Sequence, residues 1–119
     1  MSDGLARRGK RPDPVEVRTV LAILDVSPTP EIATQRAAAR DLARRLLLAD
    51  NPDVPIELVE RYLDAYAAYR MAQANIAEHG EIVIHPRTGA PIDNPYRRVR
   101  ADAARALDGL ALESDALWE

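Results

Sequence analysis

A chain of 119 residues with 47% apolar content is long enough for one domain with a modest core, and too apolar to stay unfolded. It contains no Cys, which excludes disulfides and thiolate chemistry and permits a reducing compartment, and no apolar run approaches the ~20 residues that span a bilayer. The formal net charge of −3 argues against a surface coated with nucleic acid, although fifteen of the sixteen cations are Arg, whose planar fork suits phosphate and interface pairing.

Residues 1–12 read as a flexible basic arm. Arg7, Arg8, Lys10 and Arg11 stand there against one acid, Asp3, and Gly4, Gly9 and Pro12 interrupt regular structure. By charge alone this arm is the first candidate for DNA contact, with a solubilising tail as the other reading. Residues 13–119 then form a single helical domain. It opens at Asp13-Pro14-Val15-Glu16, where Asp13 is placed to cap, Pro14 suits the first helical position and Glu16 the reciprocal capping position. Val17, Val20, Leu21 and Leu24 follow at helical spacing, while their β-branched content leaves a strand open.

Ser27-Pro28-Thr29-Pro30 breaks the chain, and a second helix is predicted over about Glu31–Ala49. On it Arg36, Arg40 and Arg44 lie four apart and share one face, with Arg45 beside them. Such a row suits phosphate contacts, and it equally suits local pairing with Glu31, Asp41 and neighbouring acids. The Pro-rich stretch from Asp50 to Pro55 ends this helix.

The third helix, about 56–79, has no internal Gly or Pro and spans roughly 35 Å. Its apolar residues cover two faces: Ile56, Val59, Leu63 and Ala67 on one, Tyr62, Tyr66, Tyr69 and Ile76 on the other. A helix apolar on two sides packs against two things. One is its own core. For the tyrosine face the candidate partner is a second copy, with base stacking as the other reading. Composition points the same way: with no Phe, one Trp and four Tyr, much of the apolar count is Ala, which buries little surface, so self-association would supply the missing burial.

Gly80 sits where a left-handed C-cap belongs. The period then changes to Glu81-Ile82-Val83-Ile84, followed by a loop with Pro and Gly, which predicts a hairpin over about 81–92. Gly89 supplies the positive dihedral of the turn, Asn94 caps the last helix and Pro95 takes its first position. That helix is expected over about 95–110 and carries Arg97, Arg98, Arg100 and Arg105, with Asp102 and Asp108 as local partners. The expected fold class is mainly α: a helical oligomerising domain with a short β-hairpin before the C-terminal helix.

Catalytic chemistry finds no foothold in this pattern. His79 and His85 are the only histidines, and Glu78, Glu81 and Asp93 beside them follow no metal-ligand spacing. Gly89 stands alone rather than in a phosphate loop, and neither Ser27 nor Ser114 has a base beside it. The expectation is a protein without enzymatic activity, metal or cofactor.

Tyr62-Leu63-Asp64-Ala65-Tyr66-Ala67-Ala68-Tyr69-Arg70, then Ile76-Ala77-Glu78-His79-Gly80, then the stretch from His85-Pro86-Arg87-Thr88-Gly89 to Asn94-Pro95-Tyr96 resembles the phage terminase small subunit family, in the branch of long-tailed phages and prophages. The similarity covers about residues 30–112. Its specific part is the Pro-Arg-Thr-Gly turn followed by Asn-Pro. Residues 13–26 have no counterpart in the family pattern, and relatives tend to continue differently after Leu112. The resemblance implies a helical subunit that assembles into a homo-oligomeric ring. Such a subunit recognises viral DNA at the packaging start and regulates the large subunit, which holds the ATPase and nuclease. It implies action in the host cytoplasm, with phage DNA and the large subunit as partners and no membrane. The rival readings are an oligomeric adaptor that binds no DNA and a small transcriptional regulator.

Overall fold

The computed structural model describes residues 13–118. The predicted basic arm, with Arg7, Arg8, Lys10 and Arg11, lies outside the described residues. Helix α1 (Pro14–Leu21) begins as its sequence dictates: the Asp13 carboxylate accepts a hydrogen bond from the Val15 amide at 2.9 Å and Pro14 occupies the first turn. Val17 and Leu21 are buried, so tertiary packing overrides the strand preference of the β-branched residues. The helix tightens into a 3-10 turn, Ala22–Asp25.

A second 3-10 turn, Pro30–Ile32, leads into α2 (Ala33–Asp50). This helix therefore starts two residues later than its sequence suggests, because Pro30 initiates a tight turn closed by the Ile32 amide on the Thr29 carbonyl at 3.2 Å. Helix α3 (Ile56–His79) has the expected extent. The main core lies where α1, α2 and the first half of α3 meet, around Leu21, Leu24, Leu47, Val59, Leu63 and Tyr66.

Gly80 ends α3 at φ 95° and ψ 168°. This is not the left-handed helical cap expected from the sequence. It is an extended conformation at positive φ, reached almost only by Gly, which turns the chain directly into a strand. Strands β1 (Ile82–Ile84) and β2 (Pro91–Asp93) pair antiparallel in the register Ile82–Asp93, Val83–Ile92 and Ile84–Pro91. Gly89 supplies the positive φ of the connection, at 73°. Helix α4 (Tyr96–Leu110) then runs back along α3, so that Asn94 meets Asn75, Arg100 meets Gln73 and Leu110 lies near Arg61. A short α5 (Asp115–Trp118), beyond the last helix expected from the sequence, closes the described chain.

Candidate nucleic-acid interface

The arginine row of α2 shares one face, as its spacing requires, but its donors meet groups of the chain itself. Arg36 Nη1 donates to the carbonyls of Val26 at 2.6 Å and Ile23 at 3.3 Å, which holds the segment leaving α1. Arg40 reaches Glu60 and Asp64, both at 2.9 Å, and Arg44 reaches Glu60 at 2.6 Å and Asp41 at 3.2 Å. Glu60 thus receives two guanidinium groups from the neighbouring helix. The hydrogen bonds of Arg44 and Arg40 hold its carboxyl at about 2, well below the ordinary value, and the Glu60 contact raises Arg44 in turn. The row is an α2–α3 clasp.

The tyrosine face of α3 is covered by the chain's own C-terminal segment. Tyr62, at 3% exposure, and Tyr66, at 0%, belong to the core of the single chain, Ile76 is buried further along, and Tyr69 is half-buried. Trp118 sits edge-on to Tyr66 at 4.9 Å and to Tyr69 at 5.4 Å, and its indole N–H donates to the Tyr62 hydroxyl at 3.1 Å. Behind it, Tyr66 donates to the Leu117 carbonyl at 3.0 Å and accepts from Arg70 at 2.8 Å, while Arg70 grips both oxygens of Asp25 at 2.7 and 3.2 Å. Burial raises the Tyr66 hydroxyl against the opposing pull of Arg70. Burial also works against the Arg70 charge, but Asp25 and Tyr66 outweigh it and its pKa rises.

Three members of this centre are not predicted by the sequence. Asp25 is far from Arg70 along the chain, and no local pattern links them. Asn51 looked like part of a helix-ending loop. It is instead buried, donating to the carbonyls of Leu47 at 2.8 Å and Glu113 at 2.7 Å, and accepting from the Glu113 amide at 2.9 Å. Trp118 did carry a signal, as the single Trp of a chain poor in large apolar side chains.

At the other end of the molecule, Asn94 joins three elements. Its Oδ1 accepts from the Tyr96 amide at 2.9 Å, capping α4, and its Nδ2 donates to Asn75 at 3.0 Å and to the Gly80 carbonyl at 2.9 Å. Pro95 precedes the helix with its φ already at −56°. In the turn, His85 Nδ1 accepts from the amides of Arg87 and Thr88 at 3.1 and 3.3 Å, so this ring organises the loop. Among the described residues no group of three or more His, Cys, Asp or Glu could hold a metal ion, and no helix is long and apolar enough to cross a membrane.

The cations that remain available define the candidate interface. Arg97 and Arg100 converge on Glu81 at 3.0 and 3.3 Å, and Arg105 pairs with Asp102. Among the described residues the side chains of Arg18, Arg61, Arg87 and Arg98 hold no hydrogen bond or ion pair. Arg87 lies in the hairpin turn and Arg98 in the first turns of α4, both exposed, and the segment 81–100 carries four Arg against Glu81 and Asp93. The hairpin end is therefore locally basic within an acidic protein.

A family model described as phage terminase, small subunit, matches residues 36–113, more than half of the chain. The match begins inside α2 and ends before α5, so it takes in the clasp, the tyrosine helix, the hairpin and α4. No curated protein and no solved structure matches the chain.

Proposed function

The chain belongs to the phage terminase small subunit family, and from that premise we propose that it is the non-catalytic, DNA-recognising component of a viral packaging machine. In this reading it acts in the host cytoplasm as a homo-oligomeric ring, recognises viral DNA at the packaging start, and regulates a separate large subunit that supplies ATPase and nuclease activity.

The observation that carries the DNA part is the division of labour among the arginines. The α2 row of Arg36, Arg40 and Arg44 is engaged in folding contacts. Phosphate contact then falls to the basic residues of the arm, Arg7, Arg8, Lys10 and Arg11, and, of the four unpaired arginines among the described residues, to the two in the locally basic hairpin end, Arg87 and Arg98. These six cations from each copy are the sequence-independent part of the grip. Repetition around a ring multiplies a weak single-copy affinity.

Fluorescence anisotropy with a double-stranded DNA probe tests this. With about six phosphates neutralised by each engaged copy, affinity falls by at least about three orders of magnitude between 50 and 200 mM salt. Replacing both Arg87 and Arg98 by Ala lowers the slope of log affinity against log salt by about two for each engaged copy. Affinity that ignores salt, or no binding at low salt, overturns the DNA reading and leaves the oligomeric adaptor in its place.

A further inference from the structure

We propose that residues 112–118 form an exchangeable strap. In the single chain it covers the tyrosine face of its own α3; in the oligomer the same segment docks on α3 of a second copy. The inference rests on the self-association proposed above and names the segment that carries it.

The contacts holding the strap come from distant parts of the sequence: Leu117 is buried in the main core, with Leu112 and Ala116 packed against it. Asn51 bonds both backbone groups of Glu113, Tyr66 donates to the Leu117 carbonyl, and Trp118 donates to Tyr62. None depends on which copy supplies the strap, so every one is restored after exchange, the condition that makes swapping of an identical element a low-barrier route to assembly. Two clefts open to solvent, of 370 and 470 Å³, flank the strap, each lined by Tyr69 and Trp118, and Trp118 remains 44% exposed.

The one local hydrogen bond at the bend that folds the strap back, from the Ala111 amide to the Leu107 carbonyl at 3.1 Å, is one that a straight helix would make as well. Ala111 ends α4 at φ 54° and ψ 38°, the one non-Gly residue with positive φ among the described residues. An L-residue with a Cβ enters that region about tenfold less readily than the right-handed helix. Nothing else in the neighbourhood enforces the turn: no Pro follows Pro95 and no Gly follows Gly109. Leu110 to Trp118 is compatible with uninterrupted helix. If Ala111 takes the helical conformation, α4 continues and carries Trp118 about 12 Å beyond Leu110. The extended helix keeps one face, since Ala103, Leu107, Leu110 and Leu117 recur at helical spacing with Ser114 in line. Local propensity thus favours the straight form, tertiary contacts favour the bent one, and a second copy satisfies both sets.

The test compares three full-length proteins by light scattering over a dilution series: wild type, Ala111→Gly, which relaxes the bend, and Ala111→Val, whose branched Cβ opposes it. The expected result is association about tenfold weaker per hinge for Ala111→Gly and stronger for Ala111→Val. Trp118 emission should be the same in monomer and oligomer because its docking site is the same. Association that ignores both substitutions, or Trp118 emission that shifts to the red on assembly, overturns the exchange while leaving self-association standing. Three strict monomers at every dilution overturn both. Because Gly is tolerated at this dihedral, Ala111→Gly folds and keeps the comparison decisive.

Discussion

The hydroxyl of Tyr66 offers the sharpest test of how the C-terminal segment is held. Tyr66 is wholly buried; its oxygen accepts from Arg70 at 2.8 Å and donates to the Leu117 carbonyl at 3.0 Å. Tyr66→Phe keeps the ring, its edge contact with Trp118 and its apolar area, so the substitution isolates one oxygen. The Leu117 carbonyl then loses its partner, and an Arg70 donor does too, although Arg70 retains Asp25. Each buried group left unsatisfied costs about 1–3 kcal/mol, and the arginine, only partly buried, falls at the low end, giving about 2–3 kcal/mol in total. At about 4 °C per kcal/mol for a domain of this size, Tm falls by about 8–12 °C. Urea unfolding followed by far-ultraviolet dichroism at fixed protein concentration measures the loss, and Trp118 emission should shift to the red as the strap loosens. A loss below about 0.5 kcal/mol with an unchanged m value would mean that the strap is not anchored through this oxygen.

Glu60→Gln tests the clasp. The folded carboxyl titrates at about 2 against an ordinary 4.5, a depressed value, so its stabilisation is complete above pH 4.5 and lost as pH falls from there toward 2. Because the side chain is 36% exposed, solvent screening reduces the contribution to about 1 kcal/mol. Glu60→Gln should therefore be less stable by that amount at pH 7, with the deficit shrinking as pH falls through 4.5 toward 2; an equal deficit at pH 7 and pH 2 would refute the ion-pair account. Gly80→Ala places its Cβ 3.5 Å from the Ile82 carbonyl, an ordinary contact, so the loss comes from the dihedral and should be about 1–3 kcal/mol in a thermal melt. An unchanged Tm would show that the chain can turn into β1 another way. Asn94→Ala removes three side-chain hydrogen bonds and should cost about 3 kcal/mol, with hairpin amides losing exchange protection before those of α2. Equal loss in both regions would place Asn94 in the global core instead of at the joint.

Local chemistry alone determined most of the element order. Asp13-Pro14 starts α1, Pro55 and Gly80 bracket the long helix, the switch from helical to alternating period marks the hairpin, and Asn94-Pro95 opens α4. These signals act within four or five residues, the range over which capping, dihedral restriction and hydrophobic period operate, so they can be read from a string of letters. The family resemblance was carried by the same local features. Which polar and aromatic side chains meet was settled only by tertiary structure. Helical spacing put Arg36, Arg40 and Arg44 on one face, but it could not say that Glu60, on another helix, would face two of them. The aromatic period of α3 marked an apolar face, yet its occupant is Trp118, brought there by a bend at Ala111 that no local residue requires. Both outcomes depend on contacts between segments far apart in the chain, whose energies exist only once the backbone has brought them together.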